Sequence, residues 1–127
     1  MALDSSEVKL AIDMKAWKQQ VIGEVMGIAD EAHQRTSWFG VGPWINSPDE
    51  QFCRFFDDAD VPEFLSRANN RLSDEQALHL TKLNVMMRKL SDNTLDIIKP
   101  EDLIDDPRWQ EIRKQASITL DAMSEND

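Results

Sequence analysis

The chain has 127 residues, with 24 acids against 14 Lys and Arg, for a formal net charge of −10 and a pI of about 4.6. One domain is expected at that length, and 41% hydrophobic residues suffice for a single core, which excludes a disordered chain. The acidity argues against direct binding of nucleic acid or of an anionic membrane, since both need a surplus of Lys and Arg on one face.

No apolar run reaches the roughly 20 residues of a membrane span, and Met1 to Glu7 has neither the basic nor the apolar region of a secretory leader. A cytoplasmic protein is therefore expected. The single cysteine, Cys53, cannot form an internal disulfide, which fits a reducing compartment. Leu10, Met14, Trp17, Val21, Val25, Ile28 and Ala32 recur at steps of three and four, predicting one long helix from Ser6 to about Arg35. Gly23 and Gly27 are its weak points, each costing about 1 kcal/mol against Ala. Either they share a face that a second helix approaches closely, or they divide the stretch in two.

Ser37 to Asn46 contains two glycines and a proline and reads as a loop, the only one rich in large apolar residues: Trp38, Phe39, Trp44 and Ile45. Most of these rings are expected to plug the core, and any left exposed would anchor a partner. Ser47-Pro48-Asp49-Glu50 reads as a capping box with proline at the first helical position. It opens a short helix from Pro48 to about Asp57, with Phe52, Phe55 and Phe56 on one face and Cys53 buried among them.

Asp60-Val61-Pro62-Glu63 opens a further short helix with Phe64, Leu65 and Ala68, closing near Asn69-Asn70. Ser73 and Gln76 make a second capping box before a helix of about four or five turns. Its core stripe is Ala77, Leu80, Leu83, Met87 and Leu90, widened by Leu78 and Met86. Asn93 to Lys99 reads equally as an extended piece or a turn of helix. Asp106-Pro107 starts the last helix, which carries Trp109, Ile112, Ala116, Leu120 and Met123 and runs to about Ala122, with residues 124–127 as a frayed tail. The expectation is an all-α fold, a compact bundle of three longer helices and two or three short ones, in one domain spanning residues 1–127.

Signatures of catalysis and metal binding are weak. Asp30-Glu31-Ala32-His33 spells a helicase tetrapeptide, but the Gly-Lys-Ser or Gly-Lys-Thr loop that such enzymes need to cradle phosphate is absent. Asp30 and His33 lie three apart and Glu75 and His79 four apart. A carboxylate-bridged metal site needs matching pairs on two helices and further Glu residues, so neither metal nor cofactor is expected. Asp57 to Glu63 fails as a calcium loop, because it lacks the central glycine and puts Pro62 where a ligand belongs. With two histidines, no tyrosine and no nucleophile turn, the chain reads as a non-enzyme, with a small helical enzyme or metal protein as one alternative.

The charge is unevenly spread. Asp49 to Glu63 holds six acids and one base, Arg54, while Asp92 to Asp106 holds six acids and only Lys99. These windows carry the whole net charge, since the other 97 residues have twelve of each sign. Helix starts account for two or three carboxylates per window; the rest repel one another, a cost that solubility does not require. Asp57, Asp58, Asp60 and Glu63, with Glu101, Asp102, Asp105 and Asp106, are therefore the candidate contacts for a basic protein partner. Trp38, Phe39 and Trp44 are the candidate apolar anchors.

Trp38-Phe39-Gly40, Ser47-Pro48-Asp49-Glu50, Phe55-Phe56-Asp57-Asp58 and Phe64-Leu65 span about a quarter of the chain. Their order resembles that of small helical bacterial immunity proteins, the cognate inhibitors of contact-dependent and other polymorphic toxins. The resemblance implies an acidic protein that covers the active site of a basic toxin, often a nuclease. It carries over no particular binding residue, because such families vary most at the interface. Another acidic helical regulator, such as a DNA-mimicking inhibitor, is the other alternative, and it would need carboxylates spaced along an elongated surface.

Overall fold

The computed structural model describes residues 5–42, 46–68, 71–93 and 99–124, with side chains from residue 13 onward. In chain order these form α1 (Ser5–Ala29), α2 (Glu31–Ser37), α3 (Pro48–Cys53) running into a π-helical turn (Arg54–Asp58), α4 (Val61–Arg67), α5 (Asp74–Asp92), α6 (Pro100–Leu103) and α7 (Pro107–Ser124). The fold is all-α, with no strand among the described residues. Among the described residues three helices are long, as expected, and four short elements stand where two or three were expected, because α2 is split from α1 and α6 precedes the last helix.

α7 packs against both α1 and α5, while α3, the π-turn and α4 pack on α1 and on one another, and α4 reaches α5. The space enclosed between them is the core. Val21, Val25 and Ile28 from α1, Leu80, Leu83 and Met87 from α5, and Trp109, Ile112 and Ala116 from α7 all fill it with almost no exposed surface. Each set recurs at three- and four-residue steps, so burying one stripe per helix is what fixes their facing. Leu78 departs from its expected place: it is 64% exposed, since it lies off the stripe made by Leu80, Leu83 and Met87.

The predicted long helix is interrupted, and the interruption is at Asp30 rather than at either glycine. Asp30 has φ −90° and ψ 83°, and its side chain accepts a hydrogen bond from the His33 amide as the cap of α2. Gln34, fully buried, explains why the chain turns there. Its Nε2 donates to the carbonyls of Gly27 at 2.9 Å and Ile28 at 2.8 Å, and its Oε1 accepts from Trp109 Nε1 at 3.1 Å. One side chain thus satisfies the open carbonyl end of α1 and ties it to α7, and a buried amide so fully bonded specifies the bend. Gly27 serves the close approach expected of it, since a Cβ there would lie 3.1 Å from Gln51 Nε2 of α3; Gly23 faces open space.

Ser47 caps α3 by accepting from the Glu50 amide, and Pro48 takes the first helical position. The reciprocal half of that expected box is replaced: Asn46 Oδ1 accepts from the Ser47 amide at 2.8 Å, and Glu50 pairs with Arg54. Ser73 and Gln76 form the complete box at the start of α5. Cys53 is exposed, contrary to the expectation of a buried thiol, because Phe52 and Phe55 take the inward positions on either side of it. The Asn93 to Lys99 question falls on residues 94–98, outside the described residues, as does the tail after Ser124.

Candidate functional site

The first acidic group grows out of the π-turn. Its widened loop, closed by the Ala59 amide donating to the Arg54 carbonyl at 2.8 Å, inserts one extra residue and sets Asp57 and Asp58 outward on the solvent side. Asp60 follows in the left-handed region at φ 46° and ψ 56°, a conformation that Asp tolerates better than most residues. Trp17 anchors this segment to α1 by donating from Nε1 to the Ala59 carbonyl at 2.6 Å, while its ring meets Phe64 edge-on at 5.4 Å. Glu63 is taken up by Arg67 at 2.6 Å across an exposed helical turn.

Glu24 of α1 belongs to this group, although sequence reading did not select it. Burial pushes its carboxyl above the ordinary range; Arg54 opposes that shift and the neighbouring Asp58 adds to it. A carboxylate whose folded pKa is raised binds its proton more tightly in the folded state. Its ionisation therefore weakens the fold, fully so above the raised value and not at all once pH falls below the unfolded value. Glu24→Gln should stabilise the protein near neutral pH, with the gain over wild type shrinking as pH falls toward about 4. Denaturant midpoints of both proteins across that range test this, and a gain independent of pH would refute it.

The second acidic group sits at α6 and the start of α7. Glu101 and Asp102 are exposed in the first turn of α6. Asp105 is exposed but bonded to Arg35 Nη2 at 2.7 Å. Asp106 is largely consumed by local structure: its carboxylate accepts from the Arg108 amide at 2.8 Å and from Arg108 Nε and Nη2 at 3.1 and 2.8 Å. The Arg108 side chain holds its pKa down against the opposing effect of burial. That stabilisation is present above the unfolded pKa of Asp106 and is lost as pH falls through the folded one.

The eight carboxylates thus form two groups attached at different places along the first arm of the fold. The first is tied to residues 17–24 of α1 and the second to Arg35 of α2. Asp57, Asp58, Asp60, Glu101 and Asp102 are the exposed members at turns, whereas Glu63, Asp105 and Asp106 are held in ion pairs.

The aromatic candidates separate. Trp38 is 5% exposed, its ring 5.6 Å from that of Trp109, so it is a core residue and not a surface anchor. Phe39 is 45% exposed, and Val41, which sequence reading passed over, is 59% exposed. Gly40 and Gly42 on either side of Val41 have φ of 71° and 91°, a reversal that glycine adopts freely and that turns Val41 outward. Trp44 lies outside the described residues. Because Arg35 bonds Asp105 and Trp38 packs on Trp109, the loop bearing Phe39 and Val41 shares one end of the molecule with the second acidic group.

Asp30 and His33 meet through the His33 amide, as a helix cap, and His79 lies in the seam of α5 and α7, where Gln115 Nε2 donates to its carbonyl at 3.3 Å. No group of three or more His, Cys, Asp or Glu able to hold a metal ion occurs among the described residues. None of the described helices is long and apolar enough to cross a membrane. No protein-family model, curated protein or solved structure matches the chain.

Proposed function

We propose that this chain is an acidic protein-binding module of the immunity type, which neutralises a basic toxin domain in the cytoplasm by covering its functional surface. The observation that carries the reading is an exposed apolar loop, Phe39 and Val41, following the helix that Arg35 ties to Asp105, with exposed carboxylates at Glu101 and Asp102 four and three residues before Asp105. Apolar anchors ringed by charge supply what a tight and specific interface needs: burial for affinity, charge for steering and partner choice. Asp57, Asp58 and Asp60 extend the negative field along α1 and orient an approaching basic surface.

The reading also accounts for features that folding alone leaves unexplained. A π-turn followed by a left-handed Asp60 costs backbone energy, of order 1–3 kcal/mol for such a residue, and its outcome is an outward ridge of like charges. Copurification from native cells, followed by purified binding kinetics at two ionic strengths, tests the proposal. A partner with a basic surface and an association rate that falls steeply with salt is the expected result. An affinity indifferent to salt would mean that the acidity is only a solvated surface.

A further inference from the structure

The turn from α1 into α2 opens a cleft of about 330 Å³ against α7, walled by Ala29, Glu31, Gln110, Arg113, Lys114 and Ser117. The four residues from α7 recur at helical spacing, so one stripe of that helix faces the opening. Arg113 is only 8% exposed, yet poorly matched. Its Nη1 reaches Gln34 Oε1 at 3.4 Å, and its Nη2 stands 3.6 Å from Glu31 Oε1, both longer than a charge-assisted hydrogen bond. Glu31 is moreover shared, since Arg35 Nε holds its other oxygen at 2.7 Å.

A guanidinium has five N–H donors and no way to shed its charge. Most of those of Arg113 meet no acceptor among the described residues, and none of its nitrogens is both sealed from solvent and unpartnered. Arg113 lines the cleft, and its unmatched donors are not sealed from solvent. Burial disfavours the charge on Arg113 more than Glu31 favours it, the condition under which an incoming anion gains most. Lys114, next along the stripe, is exposed, and its ammonium takes part in no ion pair or hydrogen bond among the described residues. In a chain of net charge −10, two cations thus converge on a concave polar surface without enough acid to neutralise them.

We infer that this cleft binds a small oxyanion, a carboxylate or a phosphate, with the Arg113 guanidinium as the fork and the Lys114 ammonium as the second charge. The Ser117 hydroxyl, on the same stripe, supplies a further donor at the wall. Glu31 faces the same cleft and disfavours a second negative charge, so a monoanionic carboxylate binds more tightly than a phosphate dianion. The site neighbours Asp105, which shares Arg35 with Glu31 and acts on Arg113 through space, but it does not depend on the proposed interface.

Titrating the protein with sodium acetate and, separately, inorganic phosphate at matched ionic strength, while following backbone amide resonances, tests the inference. Saturable shifts centred on Gln110, Lys114 and Ser117 are expected, tighter for acetate, several-fold weaker in Lys114→Gln and absent in Arg113→Met. Lys82→Gln, on the exposed side of α5, should behave as wild type. Shifts that do not saturate, or that survive Lys114→Gln unchanged, overturn the site. Should Arg113→Met fail to fold, the Lys114→Gln titration decides alone, because that side chain holds no part of the fold together. Saturation by phosphate with none by acetate would keep the oxyanion site and refute the role given to Glu31.

Discussion

Trp109→Ala should cost about 3–5 kcal/mol of stability, the range for removing a large buried aromatic side chain. Trp109 is fully buried, and its ring stands 5.6 Å from Trp38 and 5.8 Å from Phe52. It therefore joins α7 to the loop after α2 and to α3 at a single point. Truncation removes its apolar burial, leaves a cavity between three elements that cannot all collapse inward, and takes from Gln34 Oε1 the donor at 3.1 Å. Domains of this size are stable by roughly 5–15 kcal/mol, so the variant should lose on the order of 10–20 °C in Tm. Trp109→Phe keeps one aromatic ring but loses the N–H and about three heavy atoms of the indole, so it should cost less than the alanine variant, about 2–3 kcal/mol. Urea denaturation of both variants measures this. A cost below about 1 kcal/mol for the alanine variant would show that the junction holds little of the fold together.

The same junction marks where sequence reading stopped. Stripes such as Leu80, Leu83 and Met87 and the Ser73-Gln76 box were legible because their causes are local: spacing decides which residues share a face, and a cap needs only three neighbours. The break at Asp30 was not legible, because Ile28 and Ala32 keep the helical step and nothing nearby forbids continuation. What decides it is Gln34, whose partners Trp109 and Arg113 lie 75 and 79 residues away. Once the chain bends, Gln34 goes inside and Ala32 is exposed. That most of the loop rings plug the core was legible; that Trp38 is one of them was not, because it depends on Trp109, a ring 71 positions along the chain that meets it. Phe52, Phe55 and Phe56 fit an α-helix as well as a π-turn, so the extra residue before Asp57 left no signature, and neither did the approach of Glu24 to Asp58 from another helix. The acidic windows themselves were plain in the sequence; which carboxylates are consumed by Arg35, Arg67 and Arg108 was not.

That distinction decides which carboxylates to reverse. Replacing Asp105 or Asp106 would disturb the link to α2 or the start of α7, so a slower association would be ambiguous. Glu101→Lys with Asp102→Lys changes net charge by four units at exposed positions of α6, and Asp57→Lys with Asp58→Lys does the same at the π-turn. Exposed substitutions of this kind usually leave stability within about 0.5 kcal/mol, and Asp58→Lys also removes a like charge beside Glu24. If the partner docks on the end bearing Phe39, the α6 reversal should slow association more than tenfold at low salt, and the π-turn reversal less. Steered encounters run up to about 10⁸–10⁹ M⁻¹s⁻¹ against about 10⁵–10⁶ without steering, which leaves room for both effects. Raising ionic strength from about 0.1 M to 1 M shortens the screening length from about 10 Å to 3 Å, so the variants should converge on wild type. Phe39→Ala should act on the other rate, leaving association nearly unchanged and speeding dissociation, because an anchor exerts its effect after the surfaces have met. Stopped-flow association and surface-based dissociation with the purified partner give both rates. A larger effect from the π-turn pair would move the docking face to the first acidic group, and a Phe39→Ala variant that dissociates like wild type would remove the loop from the interface.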